Sequence, residues 1–410
     1  MKTKLFTFLV LTLTFNIVFA QSGWFSQTSG TSDHLISVHF KDNNTGWAVG
    51  TGGIILKTTN GGINWINHIS GTSNSLRSVH FIDSNTGWTV GDSGIILKTT
   101  NGGTNWTSQT SGTSQYLLSV QFIDNNTGWA VGFFYTLKTT NGGTNWTSQE
   151  SGYLYSVYFI DNNTGWAVGD QDFKGSIIHK TTNGGTNWTS QESGLTFTLH
   201  SVYFIDNNTG WTVGGSWSHH QIFKTTNGGT NWTSQTSGSN VLLSVHFIDN
   251  NTGWTVGDGG IILKTTNGGT NWVSQPSGTG GVLWSVDFIV SSTGWIVGSS
   301  GTILKTTSGG VITGVQTISS EIPTQFMLLQ NYPNPFNPST VISYQLAVSS
   351  FISLKVFDLL GREVSTLVNE KQNAGSYSVD FDGSNFSSGI YFYKLETDKF
   401  IETKRMILMK

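Results

Sequence analysis

The chain has no cysteine among its 410 residues, so disulfide staples and cysteine-ligated metals are excluded and stability must come from packing. Arginine is almost as scarce, with Arg77, Arg362 and Arg405 the whole supply. At a formal charge of −3 there is no basic surface to hold phosphates, which excludes nucleic acid as a partner. Charged residues make up only 10% of the chain, and four of its five prolines fall between Pro323 and Pro338. Beyond residue 20 no apolar run is long enough to cross a bilayer, so no transmembrane segment is expected in the mature chain. What the chain has instead is 51 glycines, 16 tryptophans and 25 phenylalanines, and the aromatics recur at fixed intervals rather than at random.

Residues 1–20 carry a different signal. Lys2 and Lys4 form a basic start, Leu5 to Val18 an apolar run, and Val18-Phe19-Ala20 a small-residue cleavage site before Gln21. This is the pattern of a cleaved secretory signal peptide, and the mature chain is expected outside the cytoplasm.

The phrase Gly-Trp-x-Val-Gly occurs seven times, at Trp47, Trp88, Trp129, Trp166, Trp211, Trp254 and Trp295. A period of about 40 residues marks a propeller or a solenoid. One copy, Leu76 to Gln109, divides into four short strands. Leu76–Phe81 alternates with period two, Gly87–Gly91 follows an Asp-Ser-Asn turn, Ile95–Thr100 follows Asp92-Ser93-Gly94, and Asn105–Gln109 follows Asn101-Gly102-Gly103. Four antiparallel strands per repeat make one propeller blade. The seventh copy ends at Ser308-Gly309-Gly310 without a fourth strand, while Gly23-Trp24-Phe25-Ser26-Gln27 matches fourth-strand text. The N-terminus is therefore expected to supply the last strand and close the ring; a solenoid would need distinct capping repeats instead. The predicted fold class is all-β: a seven-bladed propeller over residues 21–310, a linker over 311–322, and a small immunoglobulin-like β-sandwich over 323–410.

The recurrent Thr-Thr-Asn-Gly-Gly-x-Asn-Trp, first seen at Thr58–Trp65, resembles the Asp-box of sialidase-like propellers, with Asn in place of its Asp and Thr. That resemblance implies a structural hairpin away from any catalytic centre. Over residues 23–310 the chain resembles the photosystem II assembly/stability factor family, sharing Gly-Trp-x-Val-Gly and Gly-x-Ile-x-Lys-Thr-Thr-x-Gly-Gly-x-x-Trp. The resemblance implies the fold, and a scaffold or assembly role is one functional alternative it raises.

The tail carries Asn331-Tyr332-Pro333-Asn334-Pro335-Phe336-Asn337-Pro338-Ser339-Thr340, Val356-Phe357-Asp358-Leu359-Leu360-Gly361-Arg362, Ser388-Gly389-Ile390-Tyr391-Phe392-Tyr393 and a closing Thr403-Lys404-Arg405-Met406-Ile407-Leu408-Met409-Lys410. These motifs resemble the type IX secretion C-terminal sorting domain. The resemblance implies that residues 323–410 engage the type IX secretion machinery and that the cargo is released or anchored at the cell surface.

Sialidases grip the substrate carboxylate with several arginines. The repeat region holds only Arg77, which excludes that activity. A glycoside hydrolase needs two carboxylates facing across a cleft. Here Asp42, Asp83, Asp124, Asp161, Asp206 and Asp249 occupy one repeated turn position, and no motif pairs the off-pattern acids Asp33, Glu150, Asp172, Glu192 and Asp287. A hydrolase stays an alternative, and no cofactor is implied. One column of the first strands reads His39, His80, Gln121, Tyr158, Tyr203, His246 and Asp287; in a closed ring His246, Asp287, His39 and His80 are contiguous, which is a candidate metal set. The better candidate lies where the repeats differ. Between the second and third strands three neighbouring copies carry Phe133-Phe134-Tyr135, then Phe173 within a longer loop, then Trp217, His219 and His220. An aromatic surface with polar tips grips sugars or partner proteins, so the expectation is a monomeric, non-catalytic binding protein for a polysaccharide or a cell-surface protein.

Overall fold

A computed structural model describes residues 23–171, 175–191, 197–216, 219–238, 240–310, 316–319, 323–383 and 386–409. The chain divides into two compact units, residues 22–313 and 314–410. Among the described residues no helix is long and apolar enough to cross a membrane.

In the larger unit the sequence motif is explained by contacts between neighbouring strands. Phe81 ends the first strand of the second repeat and pairs with Gly87, where an added Cβ would lie 2.5 Å from the Phe81 ring. Gly91, at the other end of the motif, passes too close to the Ser75 carbonyl for any side chain to fit. Glycine is thus required at both ends of Gly-Trp-x-Val-Gly. The indole between them is fully buried. Trp88 stacks on Phe122 of the next repeat with ring centroids 3.5 Å apart, and its Nε1 donates to the Gly142 carbonyl at 3.3 Å. A stack of this kind contributes about 0.5–1.5 kcal/mol beyond its buried area. Lys98 Nζ sits 5.1 Å from the same indole and donates to the same carbonyl. The pattern repeats around the unit and closes on itself: Trp295 stacks on Phe40 at 3.5 Å and donates to Gly61 O at 3.2 Å.

The first strands of the seven repeats contact one another in a closed cycle, Leu35–Phe40, Leu76–Phe81, Leu117–Phe122, Thr147–Phe159, Thr198–Phe204, Leu242–Phe247, Leu283–Val290 and back to Leu35–Phe40. Gly23–Gln27 pairs antiparallel with Ile303–Gly310 and completes the sheet of the seventh repeat, as its match to fourth-strand text predicts.

One local expectation is overturned. Phe133-Phe134-Tyr135 is not a turn: Gly128–Thr139 runs through it as one strand, with Phe134 at φ 68°. Its partner, Thr147–Phe159, is continuous too, so the third and fourth repeats share a six-stranded sheet. The cause is a shortened connection. Gln109 and Leu117 are eight positions apart, whereas the equivalent Gln149 and Leu154 are only five apart, which leaves the chain no room to fold back.

The second unit is two four-stranded sheets around one core. Gln316–Ser319, Gly375–Asp382, Ser339–Leu346 and Met327–Leu328 form one; Glu363–Gln372, Ser350–Phe357, Gly389–Thr397 and Ile401–Leu408 form the other. Ile342, Tyr344, Ile352, Leu354, Tyr393 and Met406 are fully buried between them. The stretch expected to be a linker contributes a strand of its own, Gln316–Ser319, paired with Gly375–Asp382. The proline-rich motif is anchored by Asn331, whose N–H donates to Tyr393 Oη at 2.7 Å and whose Nδ2 donates to Thr340 Oγ1 at 2.9 Å. Phe336 follows into the core and bonds the Ile407 carbonyl at 2.9 Å.

Candidate functional site

The two ends of the ring differ in what they can do. At one end six of the seven repeats carry the same Asp turn, and the seventh has Val290 in its place. Asp83 Oδ1 accepts from the N–H groups of Asn85 and Thr86, both at 2.7 Å, and Asp42, Asp124, Asp161, Asp206 and Asp249 do the same in their own turns. Each of these carboxylates holds its own turn through one oxygen. At the opposite end the turn after the second strand abuts the segment entering the first: Asp92 N–H donates to Ser75 O at 2.9 Å, and Phe133 N–H to Tyr116 O at 2.9 Å. The repeats diverge at this end.

There Phe133 is the centre of an aromatic cluster. Its ring lies 5.5 Å from Tyr116, 4.9 Å from Tyr153 and 6.1 Å from Tyr155. Phe134 lies 5.0 Å from Tyr153, and Tyr155 meets His200 of the next repeat edge-on at 5.3 Å. Tyr116 and Phe134 remain 44% and 43% exposed, so the cluster is a surface and not a core. Tyr135 does not join it. The register shift between Phe133 and Tyr135, with Phe134 at positive φ, breaks the pleat, and the Tyr135 ring packs inward against the cluster containing Trp88 and Leu137. Phe173 and Trp217 lie outside the described residues. His219 and His220 fall on the strand His219–Thr225, opposite Ser216 and Gly215.

Tyr116, Tyr153, Tyr155 and His200 are site residues that loop comparison misses. They belong to two columns of the first strands. The position before the buried Leu reads His34, Ser75, Tyr116, Tyr153, Thr198, Val241, Val282. The position after it reads Ile36, Arg77, Leu118, Tyr155, His200, Leu243, Trp284 and sits at a register shift in each strand. The aromatics gather in adjoining repeats, and alignment of these columns would reveal them.

The candidate metal set forms part of a belt on the innermost strands. His39 bonds the Phe81 carbonyl through Nε2 at 3.0 Å, His80 Nδ1 accepts from Phe122 N–H at 3.4 Å, and Gln121 spans Phe159 N and O at 2.6 and 3.0 Å. Asp287 accepts from Phe40 N–H at 2.6 Å and lies 3.4 Å from His246 Nδ1 and 4.0 Å from His39 Nδ1. Each side chain therefore ties one repeat to the next. Burial holds His39 at about 4 and His246 at about 3, and pushes Asp287 up to about 7. The histidines are neutral at physiological pH, so their contacts with Asp287 are not strong ion pairs. Among the described residues no group of three or more His, Cys, Asp or Glu side chains is placed to hold a metal ion.

A third feature lies on the rim. Ile63, Ile66 and Ile69 are 74%, 61% and 87% exposed, and a cleft of about 490 Å³ beside them is lined by Asn67, His68, Ile69, Thr104, Asn105 and Trp106.

Residues 330–409 match the family described as secretion system C-terminal sorting domain, and residues 17–112 and 188–279 match the family described as photosynthesis system II assembly factor YCF48. The chain thus joins a YCF48-like β-propeller to a sorting tail that indicates export to the cell surface or the extracellular space. No curated protein matches the sequence. Among solved structures, YCF48 bound to a D1 peptide is 20% identical with a TM-score of 0.59, over 71% of this chain and 97% of that one. YCF48 from Cyanidioschyzon merolae is 21% identical with a TM-score of 0.58, over 69% and 98%. The WD40 propeller domain of Doa1 is 12% identical with a TM-score of 0.55, over 68% and 95%. At these identities the likeness shows the propeller fold.

Proposed function

We propose that the protein is addressed to the type IX secretion machinery by residues 323–410 and acts at the cell surface or beyond as a non-catalytic binding protein for a polysaccharide or protein ligand. The scaffold in this reading is a seven-bladed propeller over residues 21–310, one blade per repeat, followed by an immunoglobulin-like sandwich. It works as a monomer, since a single chain closes the ring. The observation that carries the reading is the part-exposed cluster of Tyr116, Phe133, Phe134, Tyr153 and Tyr155. Rigid strands hold these rings at low entropic cost, which favours recognition. Phe173, Trp217, His219 and His220, in the sequence of the next two repeats, are further candidates for contact with the same ligand.

The test is a binding screen of the purified protein against polysaccharides and cell-surface extracts, beside a Tyr116→Ala/Phe134→Ala variant with an unchanged circular dichroism spectrum. Binding by the wild type that falls at least about tenfold in the variant supports the reading. Equal binding by both would place the site elsewhere.

A further inference from the structure

Within the aromatic face one buried carboxyl group has an oxygen left unpaired among the described residues. Asp170 ends the second strand of the fourth repeat and is 4% exposed. Its Oδ2 accepts from Thr198 Oγ1 at 2.9 Å, while among the described residues Oδ1 has no hydrogen-bond partner. Among the described residues no lysine or arginine pairs with it. Burial of a carboxylate without a counter-ion is costly, and such groups are normally paired.

Two other repeats carry an aspartate at this position: Asp258 of the sixth, which is part-exposed with Leu243 at the register shift, and Asp92 of the second, which has a cation. In the second repeat the residue after Gly-Trp-x-Val-Gly is also an aspartate, Asp92, and Arg77 grips it through Nε at 2.7 Å and Nη2 at 3.0 Å. Arg77 stands at the register-shift position of its first strand, and the same position in the fourth repeat is Tyr155. The carboxylate is kept and its guanidinium is replaced by a phenol. Tyr153 lies directly across the strand pair from Asp170, and Tyr155 and His200 meet at 5.3 Å alongside. Burial holds His200 at about 4, so its ring is neutral and cannot stand in for the missing cation.

We propose that Asp170 anchors a subsite for a ligand guanidinium or ammonium group, walled by Tyr153, Tyr155 and His200. A cation there sits against aromatic rings with a carboxylate beneath them, an arrangement that favours positive charge in a desolvated setting. The inference rests on the reading of this face as the ligand surface and adds the chemistry it selects. The same cationic group could come from a lysine or arginine side chain or from an amino sugar, and the experiment separates these sources.

The purified protein is titrated with Nα-acetyl-arginine amide, Nα-acetyl-lysine amide and a glucosamine trimer, with Nα-acetyl-citrulline amide and the N-acetylated trimer as neutral controls. The proposal expects at least one cationic probe to bind and its neutral counterpart to bind at least about tenfold more weakly. Two variants locate the effect. Asp170→Asn should lose the charge preference. Tyr155→Arg, which rebuilds the Arg77–Asp92 pair within the chain, should fill the subsite, abolish binding and raise the melting temperature. A probe affinity unchanged by both variants, or no binding by any cationic probe, overturns the proposal. If a screened polysaccharide or extract still loses binding in Tyr116→Ala/Phe134→Ala while Asp170→Asn binds it normally, the aromatic face stands and the cation subsite falls. Binding by the peptide amides alone assigns a protein partner, and binding by the glucosamine trimer alone assigns a glycan.

Discussion

Asp287 of the seventh repeat accepts a 2.6 Å hydrogen bond from the Phe40 N–H of the first, so a buried side chain spans the seam where the ring closes. Burial raises this carboxyl from 3.8 to about 7 and lowers the neighbouring His39 and His246 from 6.5 to about 4 and about 3. The signs oppose. The folded state binds the Asp287 proton more tightly than the unfolded one, so that contribution is complete below about pH 3.8 and is lost as pH rises through about 7. The histidines resist protonation when folded, so their contribution is lost as pH falls below 6.5. Asp287→Asn keeps an acceptor for Phe40 and removes only the first effect. Its melting temperature relative to wild type should therefore improve between pH 4 and pH 7, by on the order of a few kcal/mol in stability. A relative loss over the same range would mean an ionised Asp287 paired with cationic histidines.

Trp24 lies on the closing strand, is 3% exposed, meets Phe288 edge-on at 5.7 Å and donates to Gln275 Oε1 at 3.0 Å. Trp24→Ala should cost about 3–5 kcal/mol, measured by urea denaturation, as for other large-to-small changes in a packed core. A cost below about 1 kcal/mol would show that the N-terminal strand does not latch the ring.

The three exposed isoleucines at the rim replace threonine or other residues at equivalent places in later repeats, such as Thr104, Thr107 and Thr110. Ile63→Thr, Ile66→Thr and Ile69→Thr together should change stability by no more than about 0.5 kcal/mol each, since none is packed in the core. A large loss of thermal stability would mean that these side chains support the second repeat through the adjoining cleft.

The ring was legible in the sequence because its determinants are local and repeated. Gly87 and Gly91 are forced by close approaches, Trp88 by the stack on Phe122, and Asp83 by its own turn, so the glycines and the tryptophan leave the same mark in every copy and the aspartate in six of the seven. The closing strand was legible for the same reason. The site was only partly so. Phe133 and Phe134 stood out as breaks in the pattern, but the short link from Gln149 to Leu154 turned their expected loop into strand and sent Tyr135 inward. Tyr153, Tyr155 and His200 sit inside strands that otherwise follow the repeat, with Tyr155 and His200 at its register shifts. The unpaired carboxyl oxygen of Asp170 is not visible at all until Arg77 is seen to hold Asp92.

The most direct test of the aromatic face is hydroxyl-radical footprinting of the protein with and without the ligand that the binding screen recovers. Binding at the aromatic face should protect Tyr116 and Phe134 and leave Ile63, Ile66 and Ile69 reactive. Protection of the isoleucine rim with Tyr116 and Phe134 left fully reactive would contradict it.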